Sequence, residues 1–370
     1  MKQKIALVLV LLLLLTACTP APVVTEPPTE APTEAPTEAP TEAPTEAPTE
    51  APTEPPAPYT NPLTGEGIYS EYINRPFTVI LNNYQSAMPL HGVSEADIVY
   101  EALTEGGMTR CMGVFSNLAS VEGLGSIRSA RRHFVSISVA YDAIFVHYGK
   151  SEHPLYGALD YMNQLGWNHM DGTIYDSYFY ENQDRINAGY NRGDECHWLV
   201  GMQAVQFAMD RRFALTRSEA LDYGLHFEKD HLIIGQNCST ITAYFNQGGT
   251  PGSWTKYTTL KYDETTGEYL SFQFGTENID GNTGKQLSFE NVFVLRAKTS
   301  STDVNLVYVE LEGEGTGYYA CNGQMVPIKW SRASAYDPFV YTLEDGTPLT
   351  LSVGKSYIAI VPTNATVTYE

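Results

Sequence analysis

The sequence predicts an α+β protein. An N-terminal α/β layered domain is followed by a mostly-β C-terminal domain, and a disordered Pro/Glu/Thr tether precedes both. Three observations carry this expectation. Strand-like apolar runs alternate with helical patterns over residues 61–215. Short strands punctuated by turn signals follow over residues 225–370. Ahead of both lies a Pro- and Glu-rich repeat with almost nothing to bury.

Residues 1–17 have the layout of a secretory signal peptide. Lys2 and Lys4 precede an apolar core from Ile5 to Leu15, and Leu15-Thr16-Ala17-Cys18 closes it. That core is too short for a comfortable membrane span, which needs about 20 residues. A cysteine directly after small residues matches a bacterial lipobox, so Cys18 is the expected lipidation site. Its acyl chains (palmitate among them) would hold the mature protein on the extracytoplasmic face of the cell membrane. The plainer alternative is a secretory signal with an incidental cysteine.

Residues 18–58 form the tether. From Thr25 to Pro56 the chain reads TEPP, then TEAP six times, then TEPP. Proline fixes φ and removes a donor, so the segment builds neither helix nor ladder. At about 3.1 Å per residue, this proline-rich stretch reaches roughly 100 Å.

The N-terminal domain is expected over residues 59–220. Phe77–Leu81, Asp97–Tyr100, Met112–Phe115 and Ala143–Val146 read as short buried strands. Ser129 is placed to cap a helix running to about Val139. Further helices are expected over Pro154–Leu165 and Leu199–Arg212. The C-terminal domain is expected over residues 221–370, with strands at Val292–Leu295, Leu306–Val309 and Ile358–Val361. Asn322-Gly323 between two apolar runs is a type I′ hairpin signature. Tyr257, Tyr262, Tyr318, Tyr319 and Trp330 are read first as sheet and core residues, with a groove as the alternative.

Charge narrows the partners. The chain carries a net −21, and without Lys2, Lys4 and the eight tether glutamates the remainder is still −15. An acidic surface argues against nucleic acid and against adsorption on anionic lipid. Membrane association is therefore assigned to the Cys18 lipid. Cys111, Cys196, Cys238 and Cys321 show no CxxC spacing, so neither a metal nor a cofactor is expected. Export permits disulfides among the four, in any of three pairings. Cys111 and Cys321 lie in apolar runs and read as buried small hydrophobes.

The densest polar constellation lies between Asn82 and Ser151. Glu105–Arg110, Gly125–Arg132 and His147–Ser151 each flank a predicted strand. Three such clusters at strand ends are placed to converge on one sheet edge, where open α/β sheets take ligands. The expected ligand-binding residues are Arg110, Arg128, Arg131, Glu105, His147 and Ser151. Arginine forks suit phosphate or carboxylate, and a helix start capped by Ser129 would add backbone donors. The alternative is internal pairing of Arg128 and Arg131 with Asp97, Glu101 or Glu105. His147 and Glu105 are the weak catalytic candidates; no GxSxG elbow is present. Ser151 reads most simply as a helix cap.

These motifs resemble the YerB-like bacterial lipoproteins, a family built on a domain of unknown function. The resemblance spans nearly all of residues 61–370. It rests on Asn61–Gly65, Ala96–Glu101, Glu105–Arg110, Gly125–Arg131 and His147–Ser151, then on Asn291-Val292, Gly315–Gly317 and Trp330. It implies an N-terminal and a C-terminal domain and no established activity. Proline is usual where this chain has Ser126, and glycine where it has Lys150. Met88-Pro89-Leu90 and Cys196-His197-Trp198 depart as well.

Three functional readings follow. The first is a lipid-anchored protein that binds an anionic cell-envelope ligand or an envelope protein. Arg110, Arg128 and Arg131 would grip it, oriented by Glu105 and His147. The second is an enzyme on a phosphorylated or carboxylated envelope precursor, with His147 as general base. The third is a structural scaffold.

Overall fold

Runs that are apolar at every position suit strands covered on both faces. Phe77–Asn83 (β1), Ile98–Leu103 (β2) and Thr109–Phe115 (β3) are buried throughout in the computed structural model. It describes residues 56–246 and 255–370. The signal segment, Cys18 and the tether through residue 55 lie outside the described residues. After β3 come Arg132–Ala140 (α1), Ile144–His147 (β4), Ala158–Leu165 (α2), His169–Asp171 (β5) and Gly201–Asp210 (α3). The remaining main strands are Thr240–Tyr244 (β6), Tyr257–Asp263 (β7), Glu268–Gln273 (β8) and Asn291–Ala297 (β9). Gly313–Cys321 (β10), Gln324–Arg332 (β11) and Ser356–Pro362 (β12) complete them. The fold is α+β, with a mostly-β C-terminal region.

One large sheet runs through the molecule in the order β11-β10-β9-β12-β2-β3-β1-β4-β5. Near its centre β12 lies parallel to both neighbours, with Val292 opposite Tyr357 on one side and Ala359 opposite Glu101 on the other. Strands from either side of residue 220 therefore share one sheet, and the composition break there marks no gap in it. A second, six-stranded sheet is built around β8-β7-β6.

Side-chain alternation sorts the core into two layers. Ile80, Tyr100, Met112 and Phe293 pack with Phe134 and Ile137 of α1. Val79, Val99, Cys111 and Val294 face the other way, onto Phe207 of α3 and Ile241, Leu260 and Tyr269 of the second sheet. Glu101 falls in phase with Val99, so its carboxylate points into the layer between the sheets.

Four expectations are corrected. The helix expected from Ser129 begins at Arg132, with Arg131 at the cap position and no side-chain cap bond. Residues 126–130 run extended instead. The Asn82 amide donates to Ser126 O, Arg128 to Ile80 O, and Ala130 to Gly149 O. Tertiary pairing thus holds the strip extended and takes the Ala130 amide, one of the donors that the expected cap would have left open. The helix expected from Pro154 begins at Ala158, because residues 154–156 form a turn whose amides at Leu155 and Tyr156 donate to His153 Nδ1. Leu199 belongs to a strand paired with Leu124, so α3 starts at Gly201. The four described cysteines are all buried free thiols, which removes the three disulfide pairings.

Candidate functional site

The arginine pocket is assembled from strand ends. Asn82 near the end of β1 stands opposite Arg110 of β3. Between β2 and β3 the chain turns through Glu105-Gly106-Gly107. Gly106 and Gly107 have φ of 72° and 73°, conformations that a side chain resists. That tight turn brings Thr104, Met108 and Thr109 to the same mouth. Arg128 enters from the extended strip, and Tyr84, Ser86, Asn191 and Glu195 close the far side. Together they line a pocket of about 340 Å³. A smaller pocket of about 200 Å³ shares Tyr84 and Met108 and continues past Gly106 and Gly107 to Lys256 and Phe274.

Arg110 is almost buried, and its Nη1 donates to Ser129 O at 2.6 Å, tying β3 to the strip. The far wall is held by Arg185, whose Nη2 donates to the carbonyls of Ala87 and Pro89 at 2.7 and 2.8 Å. Glu195 accepts from the Asn191 amide at 2.8 Å and from the Ser86 hydroxyl. The pocket thus holds two guanidinium groups and one carboxylate that already has donors of its own.

Arg131 does not line this pocket. Its Nε lies 2.8 Å from each Glu105 oxygen and its Nη2 2.6 Å from Oε2, a bidentate pair. Burial opposes ionisation of Glu105, but the Arg131 hydrogen bonds win and hold its carboxyl below the ordinary range. The internal-pairing alternative therefore describes Arg131.

His147 and Ser151 also lie elsewhere. Ser151 Oγ accepts from the Ala158 amide at 3.1 Å, at the start of α2. His147 is fully buried, with Nδ1 2.7 Å from Gly149 O and Nε2 3.1 Å from His169 Nδ1. A carbonyl only accepts, so His147 carries its proton on Nδ1 and its Nε2 accepts from His169. Burial pushes its pKa down to about 4 against the pull of Asp171. Asp171 is itself held at about 2: burial opposes ionisation, but His147, Lys150 and Thr173 favour it. Its Oδ2 lies 2.8 Å from Lys150 Nζ, so Lys150 neutralises a buried carboxylate. The His147 cluster supports the strip through backbone bonds, Tyr148 amide to Arg128 O among them.

Two features escaped the sequence reading. His133, at the start of α1, is buried with neither ring nitrogen hydrogen-bonded; burial, with Arg131 nearby, lowers its pKa to about 3. More prominent is Glu101, which is completely buried. Its Oε1 accepts from Asn83 Nδ2 at 2.8 Å and Thr109 Oγ1 at 2.6 Å. Its Oε2 accepts from Thr258 Oγ1 at 2.7 Å, Gln273 Nε2 at 3.0 Å and the Tyr357 hydroxyl. Lys256 Nζ lies 3.1 Å from Oε1. Burial raises the pKa of this carboxyl, but Lys256 and the hydroxyl donors outweigh it, so the net shift is downward. The donors come from both sheets.

Among the described residues no group of three or more His, Cys, Asp or Glu is arranged to hold a metal. No described helix is long and apolar enough to cross a membrane.

Known proteins resemble the chain along most of its length. Residues 63–195 match the N-terminal domain, and residues 250–358 the C-terminal domain, of a protein of unknown function termed DUF3048. A Bacillus subtilis (strain 168) protein described as "Putative lipoprotein YerB" is 28% identical over 320 residues, covering 81% of this chain and 86% of that protein. The crystal structure of YerB from Bacillus subtilis superposes with a TM-score of 0.71 at 25% identity, over 84% of this chain and 99% of that one.

Proposed function

This chain belongs to the two-domain DUF3048 family of YerB homologues, and we propose that it is a lipid-anchored extracytoplasmic protein whose arginine pocket binds an anionic envelope ligand. The observation that carries the reading is the placing of Arg110 and Arg128 in the walls of one pocket of about 340 Å³. Asn82, Thr104 and Thr109 supply further polar atoms around them. Planar guanidinium forks recognise phosphate or carboxylate oxygens at two points, which gives both attraction and orientation. Glu195 faces the same space and would reject an anion that lacks a donor group beside its charge. An envelope precursor carrying both phosphate and hydroxyl groups meets that requirement.

The enzymatic alternative has less support. His147 keeps its Nε2 lone pair on His169, away from the pocket walls, and Glu105 is held by Arg131. A general base must reach the proton it removes. The test is a thermal-shift series with pyrophosphate and phosphate-bearing envelope precursors, on wild type and on Arg128→Ala. A ligand at about 100 times its Kd stabilises the folded state by about 2.7 kcal/mol. The wild type is expected to shift upward by several degrees and Arg128→Ala to lose most of that shift. Equal shifts would remove Arg128 from the binding site.

A further inference from the structure

Three buried side chains meet between the two sheets in an arrangement that a salt bridge alone does not need. Lys256 just precedes β7, and Gln273 ends β8. Thr258 is opposite Gln273, so Lys256 lies diagonally across from it on the same face of the sheet. The Lys256 ammonium contacts the Gln273 amide oxygen, and the Gln273 amide nitrogen donates to Glu101 Oε2 at 3.0 Å. Glu101 Oε1 lies 3.1 Å from Lys256 Nζ. One carboxylate thus touches an amine with one oxygen and a carboxamide nitrogen with the other. The group is buried: Glu101 is 0%, Gln273 2% and Lys256 5% exposed. The Phe274 ring covers the ammonium at 4.4 Å.

We propose that Lys256 and Gln273 become joined by an intramolecular isopeptide bond, with Glu101 as the proton shuttle. Glu101 takes a proton from the Lys256 ammonium, giving a neutral amine and a neutral acid. Between two buried partners this exchange neutralises both charges at once. The amine lone pair attacks Gln273 Cδ, forming the Nζ–Cδ bond. The attacking nitrogen gives up a second proton, and Glu101 passes one to the departing Nε2. The Cδ–Nε2 bond breaks and ammonia leaves. The products are a secondary amide, ammonia and protonated Glu101, so no oxidant, metal or added reactant is needed. Proximity supplies the driving advantage, because held reactants reach effective molarities of about 10⁵ M or more. Thr109, Thr258 and Tyr357 keep the carboxyl pointed at the pair throughout.

The wild-type chain decides the matter. The full chain is purified from the producing cell, denatured, digested with trypsin and mapped by mass spectrometry. Cleavage after Lys256 is expected to be blocked. The peptide bearing Lys256 is expected to be joined to the one bearing Gln273, lighter than the sum of the two by one ammonia. Glu101→Gln keeps the size of the side chain and removes the shuttle, so it is expected to yield the two peptides unlinked. Unlinked Lys256 and Gln273 peptides from the wild type, or a cross-link to any other residue, would overturn the proposal.

Discussion

His133 and His147 make the interior sensitive to acid in a direction that follows from burial. Their pKa values fall to about 3 and about 4 from the ordinary 6.5. Both rings are neutral in the folded chain, while the unfolded chain accepts protons at about 6.5. Their contribution is complete above that pH and is lost as pH falls from about 6.5 through about 4 and 3. Buried carboxylates such as Asp171 add losses only lower down, since its ordinary value is 3.8 and its folded value about 2. Urea midpoints measured across the acid range are expected to fall less steeply for His133→Phe than for wild type; parallel curves would exclude His133 as a source. Residue chemistry was unevenly legible. Arg110 and Arg128 stand out because arginines beside glycines are conspicuous in an acidic chain. Glu101 was visible only as one candidate internal partner for Arg128 and Arg131. Its partners Thr258 and Gln273 lie 157 and 172 residues away, and no local pattern announces a contact of that span.

Elements reveal where local preference wins and where it yields. The Asn322-Gly323 turn forms as its residues dictate, with φ of 49° and 69°, and it joins β10 to β11 in register from Cys321–Gln324 to Gly313–Arg332. Ser129 loses its cap because the edge of β1 offers the strip better partners. At the far end of β11, Arg332 is buried. Its guanidinium donates to Asp337 O at 2.8 Å, Ser136 Oγ at 2.9 Å, and the carbonyls of Ser136 and Ala335 at 2.6 Å. This one side chain fastens α1 to the end of the sheet. Arg332→Met keeps the apolar stem and leaves buried acceptors unmet, a loss of about 2–3 kcal/mol by chemical denaturation. A change under about 0.5 kcal/mol would mean that α1 is held by its apolar face alone.

At the scale of the whole molecule, alternating strands and helices announced a layered α+β fold, and short strands with turns announced the β-rich half. The strand order was not legible, because parallel neighbours such as β2 and β12 share no turn and their pairing depends on shape complementarity across the chain. The proposed anchor also belongs to this scale. Full-length protein with Cys18→Ala is expected to appear in the medium while wild type stays with membranes; a variant that remains membrane-bound would remove the lipid from the account. The position of β12 has one more consequence. It sits beside β2 near the middle of the large sheet, yet it is made from residues 356–362 while β2 is made from residues 98–103. Until those residues are in place, β2 has an open hydrogen-bonding edge and β9 has no parallel neighbour. The middle of the sheet therefore closes only when a strand from far later in the chain joins strands made early in it, a pairing of long sequence separation.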